Sequence, residues 1–218
     1  NARALELLGM ENSLRRALER GEFLLYFQPK ASVASGEIVG AEALLRWNHP
    51  ERGMVPPSAF IPVMEETGLI VPAGEWVLKA VSRQIQAWKA AGLRPVPVAV
   101  NLSARQFLSK NLGPAIERIL EEHGIDPGLI ELEITESSLM TNTEEAIITL
   151  EYLSRLGLSV SIDDFGTGYS SLSYLKRFPL DALKIDRSFV RDIATDEDDA
   201  NITRAIILMA HSLELKVI

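Results

Sequence analysis

The chain has 218 residues, 47% of them hydrophobic and 24% charged, enough to bury a sizeable core in the manner of a soluble globular protein. It contains no cysteine, which excludes disulfides and thiolate metal centres and fits a reducing cytoplasm; it has no apolar run long enough to span a bilayer and no signal-peptide pattern. A formal charge of −8 argues against sequence-independent binding of DNA or RNA, which needs a basic surface, but leaves room for a small phosphorylated ligand where bound cations reverse the local charge.

The first residue is Asn rather than Met, so the sequence reads as a segment of a longer chain. Ala2–Arg20 carries Leu5, Leu8, Leu14 and Leu18 among charges and is expected to form an amphipathic helix, interrupted near Gly9. This part, residues 1–21, is expected to connect to an upstream domain. Glu22–Pro29 is strand-like, and Ser35–Gly36 turns the chain into a second strand, Ile38–Trp47. Asn48–Pro57 is a polar, Pro-rich loop. Ser58 is expected to cap a short helix over Ala59–Thr67, and Pro72 to precede a longer one over Ala73–Ala91, ended by Gly92. Then follow a strand at Val96–Asn101, helices at Ala104–Phe107 (capped by Ser103) and Leu112–His123, and a strand at Ile130–Thr135. Thr143–Leu156 is a helix stopped by Gly157. Leu158–Asp163 is the central strand, with Gly166 and Gly168 predicting a turn immediately after the paired aspartates. A short helix at Ser170–Phe178, a strand at Ala182–Asp186, a helix at Glu197–Leu213 and the start of a strand at Lys216–Ile218 complete the pattern.

Seven strands alternating with helices, through connections too long for hairpins, indicate βα units and parallel pairing. An open doubly wound sheet and a (β/α)8 barrel both satisfy this. The strands share one further property. Each alternates between an apolar face and a face that turns polar toward its C-terminal end. A parallel sheet covered on both sides would read apolar throughout, so the polar faces are expected to line one site at the carboxyl ends of the strands. That face collects Glu42, Arg46, Asn101, Glu133, Asp163, Lys184 and Asp186, with Asp164 at the adjoining turn. Each residue alone has an ordinary structural explanation; agreement among five strands does not. Oxygen donors without Cys or paired His suit Mg²⁺, Mn²⁺ or Ca²⁺. This many acids suits two metals about 3.5–4 Å apart. Lys184 would stay charged beside acids, and Arg46 suits a phosphate oxygen. This reading requires Glu42, Glu133 and Asp163 to converge rather than each to be neutralised by its own lysine or arginine.

The chain resembles the EAL domain, the bacterial cyclic di-GMP phosphodiesterase family. The resemblance is carried by YFQP at Tyr26–Pro29, EALLRW at Glu42–Trp47, the Pro-rich stretch through Pro57 and Phe60–Pro62, NLS at Asn101–Ser103, ELEITES at Glu131–Ser137, DDFGTGYSSL at Asp163–Leu172 and LKID at Leu183–Asp186. It implies a modified TIM (β/α)8 barrel over residues 22–218 whose first strand runs against the others. It also implies hydrolysis of cyclic di-GMP to linear pGpG with two Mg²⁺ or Mn²⁺ ions, Ca²⁺ binding and inhibiting. Glu42, Asn101, Glu133, Asp163 and Asp164 match the metal-binding positions, and Glu42, Asp163 and Lys184 the catalytic ones. Gln28 and Arg46 match positions near the substrate, with Asp186 in support. Glu136 matches the anchor of the loop Phe165–Ser171, through which the family dimerises. An upstream sensory or GGDEF-type domain is the implied neighbour, in the cytoplasm, any tether to the inner membrane lying in other segments. The family has a further glutamate and a closing strand beyond the position of Ile218, so the native protein is expected to continue. Two competing readings are a module that binds cyclic di-GMP without cleaving it, and an unrelated barrel lyase using carboxylate-bound Mg²⁺.

Overall fold

The structure is a computed structural model that describes residues 2–167 and 172–218. It begins with one uninterrupted helix, α1 (Ala2–Arg20): Gly9 does not break it. Leu14 and Ala17 on α1 are fully buried against Phe23, Trp47, Phe60 and Met64, a small aromatic core separate from the main one. Strand β1 (Phe23–Ala31) pairs antiparallel with β2 (Ile38–His49). β1 runs on through Pro29, which ends the strand in the sequence-based expectation. Proline cannot donate to a ladder and is tolerated on an edge strand, and among the described residues β1 is an edge, paired with β2 alone.

The Pro-rich loop holds an eighth strand absent from the sequence pattern, the three-residue β3 (Gly53–Val55), antiparallel to the end of β2. Helix α2 (Pro57–Thr67) starts earlier than expected, with Pro56 rather than Ser58 as the N-cap and Pro57 at the first helical position, where its missing N–H costs nothing. α3 (Ile70–Ala90) likewise takes Pro72 into its first turn. Strand β4 (Val98–Leu102) leads to α4 (Ala104–Phe107), where Ser103 and Gln106 form a reciprocal capping box. α5 (Leu112–His123) and β5 (Ile130–Thr135) have the expected bounds. Two short helices, α6 (Glu136–Met140) and later α9 (Arg187–Arg191), fill stretches to which the sequence pattern assigns no element. α7 (Thr143–Arg155), β6 (Ser159–Phe165), α8 (Leu172–Leu175), β7 (Ala182–Ile185), α10 (Glu197–Ser212) and β8 (Lys216–Val217) follow. The expected helix at Ser170–Phe178 begins, and the loop Phe165–Ser171 ends, outside the described residues.

From β2 onward the long strands are parallel, in the order β1-β2-β4-β5-β6-β7-β8, the sheet of a barrel with an inverted first strand. Among the described residues, β1 and β8 are not paired with each other. Ile130, Leu132 and Ile134 of β5 and Val160 and Ile162 of β6 pack outward against the helices, which forms the main core. Their neighbours along each strand therefore point inward. No helix of the described residues is long and apolar enough to cross a membrane.

Candidate active site inside the barrel rim

Register sets the site. Asn101 on β4 is level with Glu133 on β5, and Glu133 is level with Ser161 on β6. Asp163, two residues further along β6, is level with Thr135. On the other side, Gln28 of β1 is the cross-strand partner of Glu42 on β2. These side chains share the interior face and stagger along its rim.

At the centre stands the ammonium of Lys184. It donates to Glu133 Oε2 at 2.6 Å, Asp163 Oδ2 at 3.1 Å and Glu42 Oε2 at 3.2 Å. Three carboxylates from three strands thus converge on one nitrogen, and the convergence required of them is met. They are not neutralised separately: one lysine serves all three. Burial opposes the charge on Lys184, but Glu133, Asp163 and Glu42 outweigh it and hold its pKa above the ordinary lysine value. Glu133 is 1% exposed. Burial pushes its carboxyl pKa up, and Lys184 and Lys30 counter only part of that. For Glu42 the balance is reversed. Burial raises its pKa, but the amide of Asn101, donating from Nδ2 to Oε1 at 2.8 Å, and the charge of Lys184 bring it below the usual carboxylate value.

The paired aspartates do not end β6. The strand continues to Phe165, and between Ile162↔Leu183 and Phe165↔Ile185 the register slips by one residue. Asp163 and Asp164 together oppose Lys184 alone, which is the geometry of a β-bulge. Asp164 has φ 53°, a positive value that non-glycine residues adopt uncommonly, aspartate more readily than most, and that is met at functional sites. Burial and the neighbouring charges of Asp163 and Asp186 raise its carboxyl pKa. Asp186 itself caps α9, accepting from the backbone N–H of Ser188 at 2.8 Å and from its hydroxyl, and these bonds lower its pKa. Its Oδ1 is thus engaged with the start of α9.

Glu136, 3% exposed, opens α6 and accepts from the backbone N–H of Gly166 at 3.1 Å through Oε2. It is tied in this way to the first turn after β6. Its Oε1 is buried without a partner among the described residues. Gly166, at φ 100°, takes a conformation that L side chains rarely adopt, and an added Cβ would meet the Phe189 ring at 2.8 Å. Arg46, four residues along β2 from Glu42, sits over the Tyr26 ring, 5.5 Å from its centroid. Arg46, Asn101, Ser103 and Thr135 line a cavity of about 320 Å³ reaching between the rim and α2 and α3. Another, of about 380 Å³ between α5 and α7, is lined by Phe107, Pro114, Ile148 and Tyr152 and includes none of Glu42, Glu133, Asp163 and Asp164.

The donors present are hard oxygens, which suit Mg²⁺ or Mn²⁺. Among the described residues no three acidic or imidazole groups are arranged as an open metal cage. Instead the Lys184 ammonium stands in for a cation, with carboxylate oxygens from three strands within 3.2 Å of it. The acidic corner of Asp163, Asp164 and Asp186 is offset only in part by that lysine. On both counts the residues fit a divalent cation. Two charged residues lie outside the set drawn from sequence: Lys30, on the interior face of β1, and Glu131 on β5; Lys30 donates to Glu133 Oε1 and Glu131 Oε1. The two-residue alternation from Gln28 would have found Lys30, had the strand not been ended at Pro29.

Known proteins resemble this chain in sequence and in fold. The EAL domain family model matches residues 11–218. The bifunctional diguanylate cyclase/cyclic di-GMP phosphodiesterase MucR of Pseudomonas aeruginosa is 46% identical over 218 residues, all of this chain and 32% of that protein. The cyclic di-GMP phosphodiesterase PdeR of Escherichia coli is 45% identical over 218 residues, again all of this chain and 33% of the relative. The chain spans about a third of the length of these curated relatives. Among solved structures, the PaMucR phosphodiesterase in complex with c-di-GMP superposes with a TM-score of 0.91 at 46% identity, covering 96% of this chain and 85% of that one.

Proposed function

The chain belongs to the EAL domain family, and from that membership we propose that it hydrolyses one 3′–5′ phosphodiester bond of cyclic di-GMP to give linear pGpG. The observation that carries the proposal is the convergence of Glu42, Glu133 and Asp163 on one cationic point. Carboxylates from separate strands repel, and burying them together costs several kcal/mol each, on the order expected for unpaired ions, unless cations hold them. Glu42, Asn101, Glu133, Asp163 and Asp164 would hold two Mg²⁺ or Mn²⁺ ions. When bound, such a pair lowers the pKa of a water and polarises a phosphoryl oxygen.

The chain's own residues do the rest. Lys184, kept protonated by its neighbours, can donate to the attacking water and offset the charge that develops on the phosphate. Arg46 offers a guanidinium fork to a phosphate oxygen. Its cavity, at about 320 Å³, falls in the range of small-ligand pockets. Gln28 stands beside Glu42 as its cross-strand partner on β1, and Asp186 steadies the turn beside Asp164. Glu136 holds the chain as it leaves β6 and so keeps the two aspartates at the bulge. In the same reading, Ca²⁺ binds without supporting turnover, a sensory or GGDEF-type domain neighbours the barrel, and two copies meet through the segment after β6.

The test is a product assay with cyclic di-GMP and Mg²⁺ or Mn²⁺, followed by chromatography. Release of pGpG, lost with a chelator, is expected. Ligand bound tightly but recovered intact would make the chain a binding module, and no binding at all would return it to another barrel chemistry.

A further inference from the structure

Lys30 has no part in the mechanism above, yet its surroundings are built as carefully as those of Lys184. Its side chain is 14% exposed, and its ammonium donates to Glu133 Oε1 at 2.8 Å and to Glu131 Oε1 at 3.1 Å. Glu131 Oε1 also accepts from the hydroxyl of Ser161, fully buried on β6, at 2.7 Å. β1 and β5 are not neighbours in the sheet; β2 and β4 lie between them. The Lys30 contacts therefore cross the barrel interior rather than follow a ladder. As a result the two oxygens of Glu133 are divided, Oε1 to Lys30 and Oε2 to Lys184 at 2.6 Å.

We propose that Lys30 is a positioning residue for the metal centre: by holding Oε1 it fixes the Glu133 carboxylate and leaves Oε2 as the single oxygen offered to a cation. The proposal rests on the metal-dependent reading given above. The last torsion of a glutamate is broad and nearly two-fold, so an untethered Glu133 would present either oxygen, or both, in several orientations. With Oε1 tied across the barrel, one orientation remains. Glu131 and Ser161 act one step further out, since they fix where the Lys30 ammonium sits. Partners that orient a ligand in this way are worth about 10–100-fold in metal affinity when removed.

The sign of the effect separates this role from simple electrostatics. Lys30 is a positive charge near a cation site, so by Coulomb's law alone its removal strengthens cation binding. Loss of positioning does the reverse. The experiment is calorimetric titration of Mn²⁺ into the metal-free protein without substrate, for wild type, Lys30→Met and Lys30→Arg, alongside steady-state kinetics with cyclic di-GMP. Lys30→Met is expected to bind Mn²⁺ about 10–100-fold more weakly and to lower kcat, with KM for cyclic di-GMP unchanged, as for a residue that acts only through Glu133. Lys30→Arg, which keeps the charge and the donors, recovers most of the affinity. If the methionine variant does not fold, Lys30→Gln, uncharged and shorter, carries the same expectation. Equal or tighter Mn²⁺ binding by the folded uncharged variant overturns the assignment of Lys30, while a wild type that hydrolyses cyclic di-GMP leaves the functional reading standing. A wild type that binds no Mn²⁺ overturns the metal-dependent reading, and the role of Lys30 with it.

Discussion

On the outer face of β5, Ile130, Leu132 and Ile134 are at 0% exposure against the helices; on its inner face Glu133 is at 1%. Burial is the same and the forces are not. The outer side is held by dispersion and by apolar area removed from water, which are non-directional and shared among many neighbours. The inner side is held by charge pairs of fixed number. Two ammonium groups, Lys30 and Lys184, serve the four carboxylates of Glu42, Glu131, Glu133 and Asp163. Loss of one apolar side chain from the outer face leaves a cavity whose cost the neighbours can reduce by relaxing. Loss of one ammonium from the inner face leaves carboxylates short of positive charge, a deficit that a bound cation could fill.

The largest expected effect follows from breaking the inner side at its centre. Lys184→Met leaves Glu42, Glu133 and Asp163 around an apolar side chain. Removing one partner of a buried ion pair costs about 3–5 kcal/mol, and the metal-free variant is expected to lose that much in urea unfolding. Excess Mg²⁺ should return part of it, since a cation can take the place of the ammonium, whereas wild type gains less from Mg²⁺. Its kcat for cyclic di-GMP is expected to fall about 10²–10³-fold, as for loss of a group that stabilises transition-state charge. Next comes Leu132→Ala on the outer side. A fully buried leucine truncated to alanine costs about 2–5 kcal/mol through lost transfer energy and the cavity left behind. Here Mg²⁺ should restore nothing beyond its effect on wild type, and kcat per folded molecule should stay at the wild-type value. If metal rescued both variants alike, the two sides of the sheet would not differ in kind.

The same contrast explains what could be read from the sequence. The outer face is written in periodicity: β5 and α5 have the bounds that alternation and capping predict, because Ile130, Leu132 and Ile134 repeat at two residues and Leu112, Ile116, Ile119 and Leu120 at three and four. The presence of acids on the inner face was legible in the same way. Their pairing was not, since no local pattern records that Lys30 on β1 reaches across to β5. β3 escaped because three residues in a polar loop carry no period. The bulge at Asp163 and Asp164 escaped because its cause lies in β7, where one residue, Lys184, faces two. A run of Asp-Asp followed by Gly166 signals a turn by composition, and only the partner strand decides that it remains a strand with a slipped register.

Asp164 is where the smallest effect on stability is expected, and it carries the opposite sign. It is a non-glycine residue at φ 53°, and Asp163 and Asp186 repel its carboxylate. Asp164→Gly relieves both, with no Cβ to strain the left-handed conformation and no charge to repel, although it adds freedom to the unfolded chain. The metal-free protein should become more stable by up to about 1 kcal/mol, while turnover of cyclic di-GMP falls for want of a donor at the bulge. Asp164→Asn divides the two causes. Asparagine tolerates the left-handed region about as aspartate does, so any stability it gains comes from charge, and the remainder gained by glycine comes from backbone strain. A strained, self-repelling residue kept at a strand end is what selection for a cation site would retain and selection for stability would remove. Should both variants be less stable than wild type without metal, Asp164 would instead be held by contacts that favour the fold, and its conformation would say nothing about a cation.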